Sequence, residues 1–148
     1  MSSIREDIVK DIIKVLKEID PPRPVLVTRE PFNVEELAIT QFPAILVQTG
    51  TEDRDLLTMP TMNSKGRKSG VINYLIRVFV RGSELDSKRN EMIERIDEIL
   101  DSDRYRSKAL SVVQNSQITS IEVVERQAPL AEVTITFQVE YNYLMGTA

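Results

Sequence analysis

A chain without histidine or cysteine must draw any chemistry from carboxylates, lysine, arginine, serine and tyrosine, and each candidate cluster of these is incomplete. The missing histidine removes the usual general base near neutral pH and the commonest zinc ligand. The missing cysteine removes disulfides, thiolate metal sites and a thiol nucleophile, and leaves the redox compartment undetermined. The nearest approach to a phosphate loop is Lys65-Gly66-Arg67-Lys68-Ser69-Gly70. Such a loop needs a glycine directly before Lys-Ser and another upstream, so that backbone amides can wrap the phosphates. Arg67 occupies the first of those positions, and Asn63 to Ser64 supply no substitute for the second. Glu52, Asp53 and Asp55 could attract a hard divalent cation, but no EF-hand spacing follows them, and a solvated loop is the plainer reading. No Ser-Lys or carboxylate spacing points to covalent or acid-base catalysis. The expectation is a non-enzymatic protein with no catalytic residue, no cofactor and no metal ligand.

The remaining notable residues are of kinds that make contacts. Met59 and Met62 offer adaptable apolar surface for a partner, or simply fill gaps. Tyr141 and Tyr143 follow an inward strand pattern and read as core or interface packing. No basic residue lies among them to support a stacking platform for nucleic acid. The net charge of -4 argues against wholesale phosphate binding, but charge is unevenly spread. From Leu56 to Ser83 there are five basic residues and no acid, whereas Glu84 to Asp103 holds eight acids against three bases. This singles out Lys65, Arg67 and Lys68 on one side and Glu94, Asp97, Glu98 and Asp101 on the other as a candidate complementary pair of surfaces. The simplest alternative is that both are solvated faces.

Those residues must be positioned by a modest set of elements, and 148 residues suffice for one domain spanning 1–148. Ser3 with Glu6 is a capping-box pattern. Ile4, Ile8, Ile12, Ile13, Leu16 and Ile19 then form one apolar stripe, predicting a helix over about 4–19 that Asp20-Pro21-Pro22 ends. Val25 to Thr28 and Ala44 to Thr49 read as short strands, the second ending at Gly50, with one helical turn between them near Val34 to Ala38. Residues 50–70 lack a sustained apolar period and read as a long loop or hairpin, mobile until assembly orders it. Val71 to Arg81 alternates, with Ile72, Tyr74, Ile76, Val78 and Val80 on one face and a partly apolar second face, which suits a central strand. After Gly82, Ser83 can cap a second helix over about 84–101. A further short turn is expected within Asp103 to Leu110, then strands over Ile118 to Glu125 and Val133 to Tyr143 as an antiparallel pair. The fold class is α+β, a mainly antiparallel sheet with two main helices packed on one face. The N-terminus lacks the apolar core of a signal peptide, and no segment has the roughly 18 apolar residues of a membrane span. No membrane association is expected.

The order of these segments carries a resemblance. The capped first helix, Gln41-Phe42-Pro43-Ala44-Ile45-Leu46-Val47 running into Gly50-Thr51-Glu52, the strand Tyr74 to Gly82 leading into an acidic helix, and the terminal strand Phe137 to Tyr143 resemble the tail terminator family of long-tailed bacteriophages. The resemblance is one of pattern over nearly the whole chain, without an invariant signature. It implies a small α+β virion protein of the neck, assembled in the host cytoplasm. It implies further a homo-oligomer, a hexameric ring, that caps the tail tube protein, ends tube polymerisation and meets the head-tail connector protein, with DNA only passing through the lumen. No catalytic residue transfers. Lys65, Arg67 and Lys68 then have two possible partners, the acids of a neighbouring copy or DNA phosphates in the lumen. A different head-tail connector component, or a bacterial small-ligand-binding regulatory module of the same fold class, are the competing expectations.

Overall fold

The computed structural model describes residues 3–19, 24–56, 66–102 and 113–144. Lys65, Met59, Met62 and the turn expected within Asp103 to Leu110 fall outside them. The first helix, α1, runs Ile4–Lys17. Ser3 Oγ accepts the Glu6 backbone N–H at 3.2 Å, which satisfies one of the donors that a helix start leaves open. The Glu6 carboxylate is gripped by both terminal nitrogens of Arg29, at 2.6 and 2.9 Å, so the residue expected to complete the capping box ties α1 to the chain after the first strand. The apolar stripe works as its period predicts, and Ile8, Val9, Ile12 and Leu16 are buried. Ile19 lies beyond the helix end yet remains in the core.

Five strands follow: β1 Leu26–Thr28, β2 Ala44–Leu56, β3 Arg67–Arg81, β4 Val113–Val124 and β5 Leu130–Leu144, with α2, Leu85–Asp101, between β3 and β4. They form one sheet in the order β1-β2-β3-β5-β4. The β1–β2 pair is parallel and the other three pairs are antiparallel. The fold is α+β, as the patterning predicts. β3 is central, and its inward residues Ile72, Tyr74, Ile76, Val78 and Val80 are all buried beneath the helices. Facing them across the register are Val139, Phe137, Ile135, Val133 and Ala131 of β5. Each fully buried aliphatic side chain contributes roughly 1.5–3 kcal/mol of transfer free energy, so this face is the main source of stability.

Three features refine these expectations. Of the long loop or hairpin expected over 50–70, residues 50–56 and 67–70 form the arms of a hairpin. β2 continues through Gly50 to Leu56 and β3 begins at Arg67, so the connection is confined to the residues between them. The apolar run stops at Val47, but β2 keeps pairing with β3 through a register shift between Thr49 and Glu52. A bulge of this kind tolerates polar residues because backbone hydrogen bonds, not side-chain burial, carry the strand. A Cβ on Gly50 would lie 2.7 Å from the Asn73 carbonyl oxygen, which explains the glycine. Next, Ser83 does not cap α2. Gly82 (φ 127) and Glu84 (φ 53) take left-handed conformations, Glu84 occupies the cap position without a side-chain cap bond, and Ser83 is left in the turn. Lastly, the second face of the sheet has its own small core. Residues between β1 and β2 fold back so that Phe32, Val34, Leu37 and Phe42 cover Ala44, Leu46 and Phe79. Phe32 meets Phe79 edge-on with ring centroids 5.5 Å apart. The single turn expected near Val34 to Ala38 is resolved into two short 3-10 turns, Val34–Glu36 and Ile39–Gln41.

Candidate interaction surfaces

Arg67 and Lys68 sit at the start of β3, where the strand pairs on both sides, Lys68 with Leu56 of β2 and with Tyr143 of β5. Backbone that is extended from Arg67 and doubly paired from Lys68 to Gly70 commits its amides to the sheet, so this segment cannot wrap a phosphate as a loop would. The acids Glu94, Asp97, Glu98 and Asp101 are all exposed on α2. Glu98 is held loosely by Arg95 at 3.6 Å, one helical turn away. Asp97 and Asp101 border a shallow cleft with Gln117 and Ile118 of β4. Those β4 residues pair with Gln138 and Phe137, which lie opposite Asn73 and Tyr74 of β3. Lys68 is six residues before Tyr74, or about 20 Å along an extended strand. The fold therefore places the two charge groups on separate regions of one subunit and does not join them to each other.

The carboxylates of the hairpin do not gather either. Strand alternation puts Glu52 on the helical side of the sheet and Asp53 and Asp55 on the other. Glu52 is claimed by Arg5 of α1 at 3.2 Å and by Arg54. No group of three potential metal ligands occurs among the described residues. Beside Glu52, Tyr74 donates its hydroxyl to the Arg5 carbonyl at 3.3 Å, and Arg54 lies over the Tyr143 ring at 5.0 Å. Tyr141 stacks on Tyr143 at 5.4 Å and presses against Gly70, where a Cβ would come within 2.6 Å of its ring. Tyr141 and Tyr143 are thus core residues, as their alternation predicts. Burial raises the Tyr74 hydroxyl well above its ordinary pKa. Burial, reinforced by the Glu52 charge, pushes Tyr141 up to about 12.

Sequence patterning missed a second polar cluster. Glu132 is buried at 1% exposure and accepts from Arg126 Nε at 2.6 Å and Arg77 Nε at 3.1 Å. Both guanidinium groups lie 5.3 Å from the Phe79 ring centre, and Arg126 also reaches Glu35 at 3.3 Å. Charge balance and cation-π packing make this a clamp between the 3-10 turns and the far face of the sheet. Nothing in the spacing of Arg77, Arg126 and Glu132 marks it, because Arg77 meets Glu132 through the β3–β5 register and Arg126 reaches it from the connection between β4 and β5.

Exposed apolar side chains were also missed. Ile39 is 70% exposed, and Ile121 and Val123 are 47% and 53% exposed. Ile39 borders a cleft of about 260 Å³ with Phe42, Val80 and Met92 in its walls and Arg81, Lys88 and Glu91 at its rim. No helix among the described residues is long and apolar enough to cross a membrane.

Comparison of the sequence with protein-family profiles and with curated proteins gives no match. Among solved structures, the chain is similar to one described as "Virion of native gene transfer agent (GTA) particle", with a TM-score of 0.43 and 8% identity over 95% of this chain and 96% of that one. A likeness of that size carries no argument about what this chain does.

Proposed function

We propose that the chain is a non-enzymatic structural protein of a phage-type virion neck. In this reading it assembles as a homohexameric ring on the end of the tail tube, stops tube polymerisation and presents its opposite surface to the head-tail connector. The observation that supports this reading is the order of segments that resembles tail terminators. A capped helix is followed by the strand after Gln41-Phe42-Pro43, a central strand turning into an acidic helix, and a long terminal strand. The three strands belong to a single sheet, and the two helices pack against it. A ring needs each subunit to carry two different, complementary surfaces. The basic start of β3 and the acidic face of α2 offer one such pair, and the lumen offers the basic residues a second partner in passing DNA.

The test mixes the purified chain with isolated tail tubes under polymerising conditions. Negative-stain images should show a ring at one tube end and tubes that cease to lengthen. Continued elongation with bare ends overturns the proposal, whereas binding to the connector but not to the tube assigns the chain to another layer of the neck. Nucleotide turnover by the pure protein, lost in Lys68→Ala, overturns its non-enzymatic character.

A further inference from the structure

β4 is an edge strand, paired only with β5. Along it, Ile121 and Val123 lie opposite Ile135 and Val133 of β5, on the helical side of the sheet. Ile135 and Val133 are fully buried, whereas Ile121 and Val123 remain about half exposed at 47% and 53%. The difference arises because α2 borders β4 at Gln117 and Ile118 and leaves this later part of the strand uncovered. Glu125, two residues beyond Val123, is exposed, whereas Glu122 between the two apolar residues points to the opposite face of the sheet. Two β-branched residues side by side on an open edge invite a partner, since such edges are otherwise blunted with lysine, proline or a covering element.

The cleft beside Ile39 has the opposite character. Its apolar floor includes Val80 and Met92, both 2% exposed or less. Arg81 and Lys88 stand at its rim with a single acid, Glu91. Lys88 Nζ spends one donor on the Arg81 carbonyl at 3.4 Å, and neither side chain forms an ion pair among the described residues. The same holds for Glu125. An apolar ridge followed by one acid thus exists on β4, and an apolar cleft whose rim carries two bases against one acid exists at the β2–β3 end of the sheet. β3 and β5 separate β2 from β4, three strand spacings or roughly 14 Å, so a subunit does not fill its own cleft with its own ridge.

We propose that a second copy of this chain occupies the cleft: Ile121 and Val123 of one subunit seat against Ile39, Phe42 and Met92 of the next, with Glu125 facing Arg81 and Lys88. The contact is heterologous, so repetition generates a ring or a helix. It rests on the ring reading above and specifies which surfaces close the ring.

The chain has no cysteine, which makes introduced thiols unambiguous probes. Ile39→Cys and Val123→Cys are prepared as separate full-length variants, mixed, and treated with a short bismaleimide, alongside each variant alone. The expected result is a dimer in the mixture and none in either variant alone, with the double variant giving a ladder that ends at the ring size. Ile39→Asp should weaken self-association by about tenfold or more, the cost of losing a central apolar anchor. Lys88→Glu should weaken it less, and Glu125→Lys should restore it. Links within one variant alone show an isologous contact and overturn the proposal. Absence of the mixed link while the unaltered chain caps tail tubes overturns this contact and leaves the ring reading in place. A mixed link from a chain that does not cap tubes upholds the contact and rejects the tail-capping reading. Neither link nor capping rejects both.

Discussion

Glu132 shows what one buried charge can hold together. Its carboxylate is almost inaccessible, while the arginines that satisfy it keep side-chain exposures of 30% for Arg77 and 24% for Arg126. Removing the acid leaves two guanidinium groups crowded over Phe79, with only the exposed Glu35, on Arg126, as a remaining counter-charge. Glu132→Ala should therefore cost about 3 kcal/mol, the low end for breaking a buried pair because the arginines can still reach water. A protein of this length should then melt roughly 6–12 °C lower, which thermal unfolding followed by circular dichroism will measure. An unchanged melting temperature would show that the clamp contributes nothing net. The tyrosines make a separate prediction about alkaline pH. Burial raises Tyr74 and Tyr141 above their ordinary values, Tyr141 to about 12. Between the unfolded pKa near 10 and the raised folded values, the unfolded chain releases these protons while the folded chain keeps them. Their contribution to stability is thus complete below about pH 10 and is lost as pH rises through the folded pKa values. Tyrosinate absorbance should rise in two steps, the later one coinciding with loss of the far-ultraviolet signal. A single step with the fold intact would refute the burial account.

At the scale of elements, the β2–β3 hairpin is the part that behaves least like its sequence. Its outer half is polar, yet it is held as strand by pairing on both sides of β3 and by the Tyr141 ring lying on Gly70. Gly70→Ala would place a methyl 2.6 Å from that ring, and Tyr141 is fully buried with little room to retreat. A loss of about 1–3 kcal/mol is expected, as for overpacking elsewhere. Combining it with Tyr141→Leu should cost less than the sum of the two single changes, since the clash disappears with the ring. Additive costs in denaturant unfolding would show that the glycine serves another purpose. The helices follow their sequence more closely. α1 and the body of α2 are where the apolar stripes put them, and only the entry to α2 differs, because positive φ at Gly82 and Glu84 reverses the chain before the helix begins.

The whole molecule separates charge in space as well as in sequence. Arg67 and Lys68 mark one end of β3, and Glu94, Asp97, Glu98 and Asp101 mark the exposed face of α2. If these surfaces meet between neighbours in a ring, reversing Lys65, Arg67 and Lys68 to glutamate should impair ring formation, and adding Glu94→Lys and Glu98→Lys should restore it. Each exposed pair contributes only ~0–1 kcal/mol, so the effect should fade as salt is raised. Normal rings that fail to retain DNA would place the basic residues in the lumen instead. No effect from either set would leave both as solvated faces, with ring closure carried by apolar contacts such as those of Ile39, Ile121 and Val123.

The sequence by itself determined the α+β class, both helices and the inward face of β3 and β5. Those depend on periodicity, which is local: residues such as Ile8, Ile12 and Leu16, or Val133, Ile135 and Phe137, reveal their shared face without knowledge of their neighbours. The charge groups were equally legible, because they are runs in the chain. Tertiary structure decided what depends on register and on chain reversal. Pairing with β3 kept a polar segment extended past Gly50. The fold-back between β1 and β2 covered the second face, and the β3–β5 alignment brought Arg77 to Glu132. Exposure belongs to this second group as well. Ile121 and Val123 alternate like core residues and face the core side of the sheet, and only the reach of α2 leaves them open to solvent.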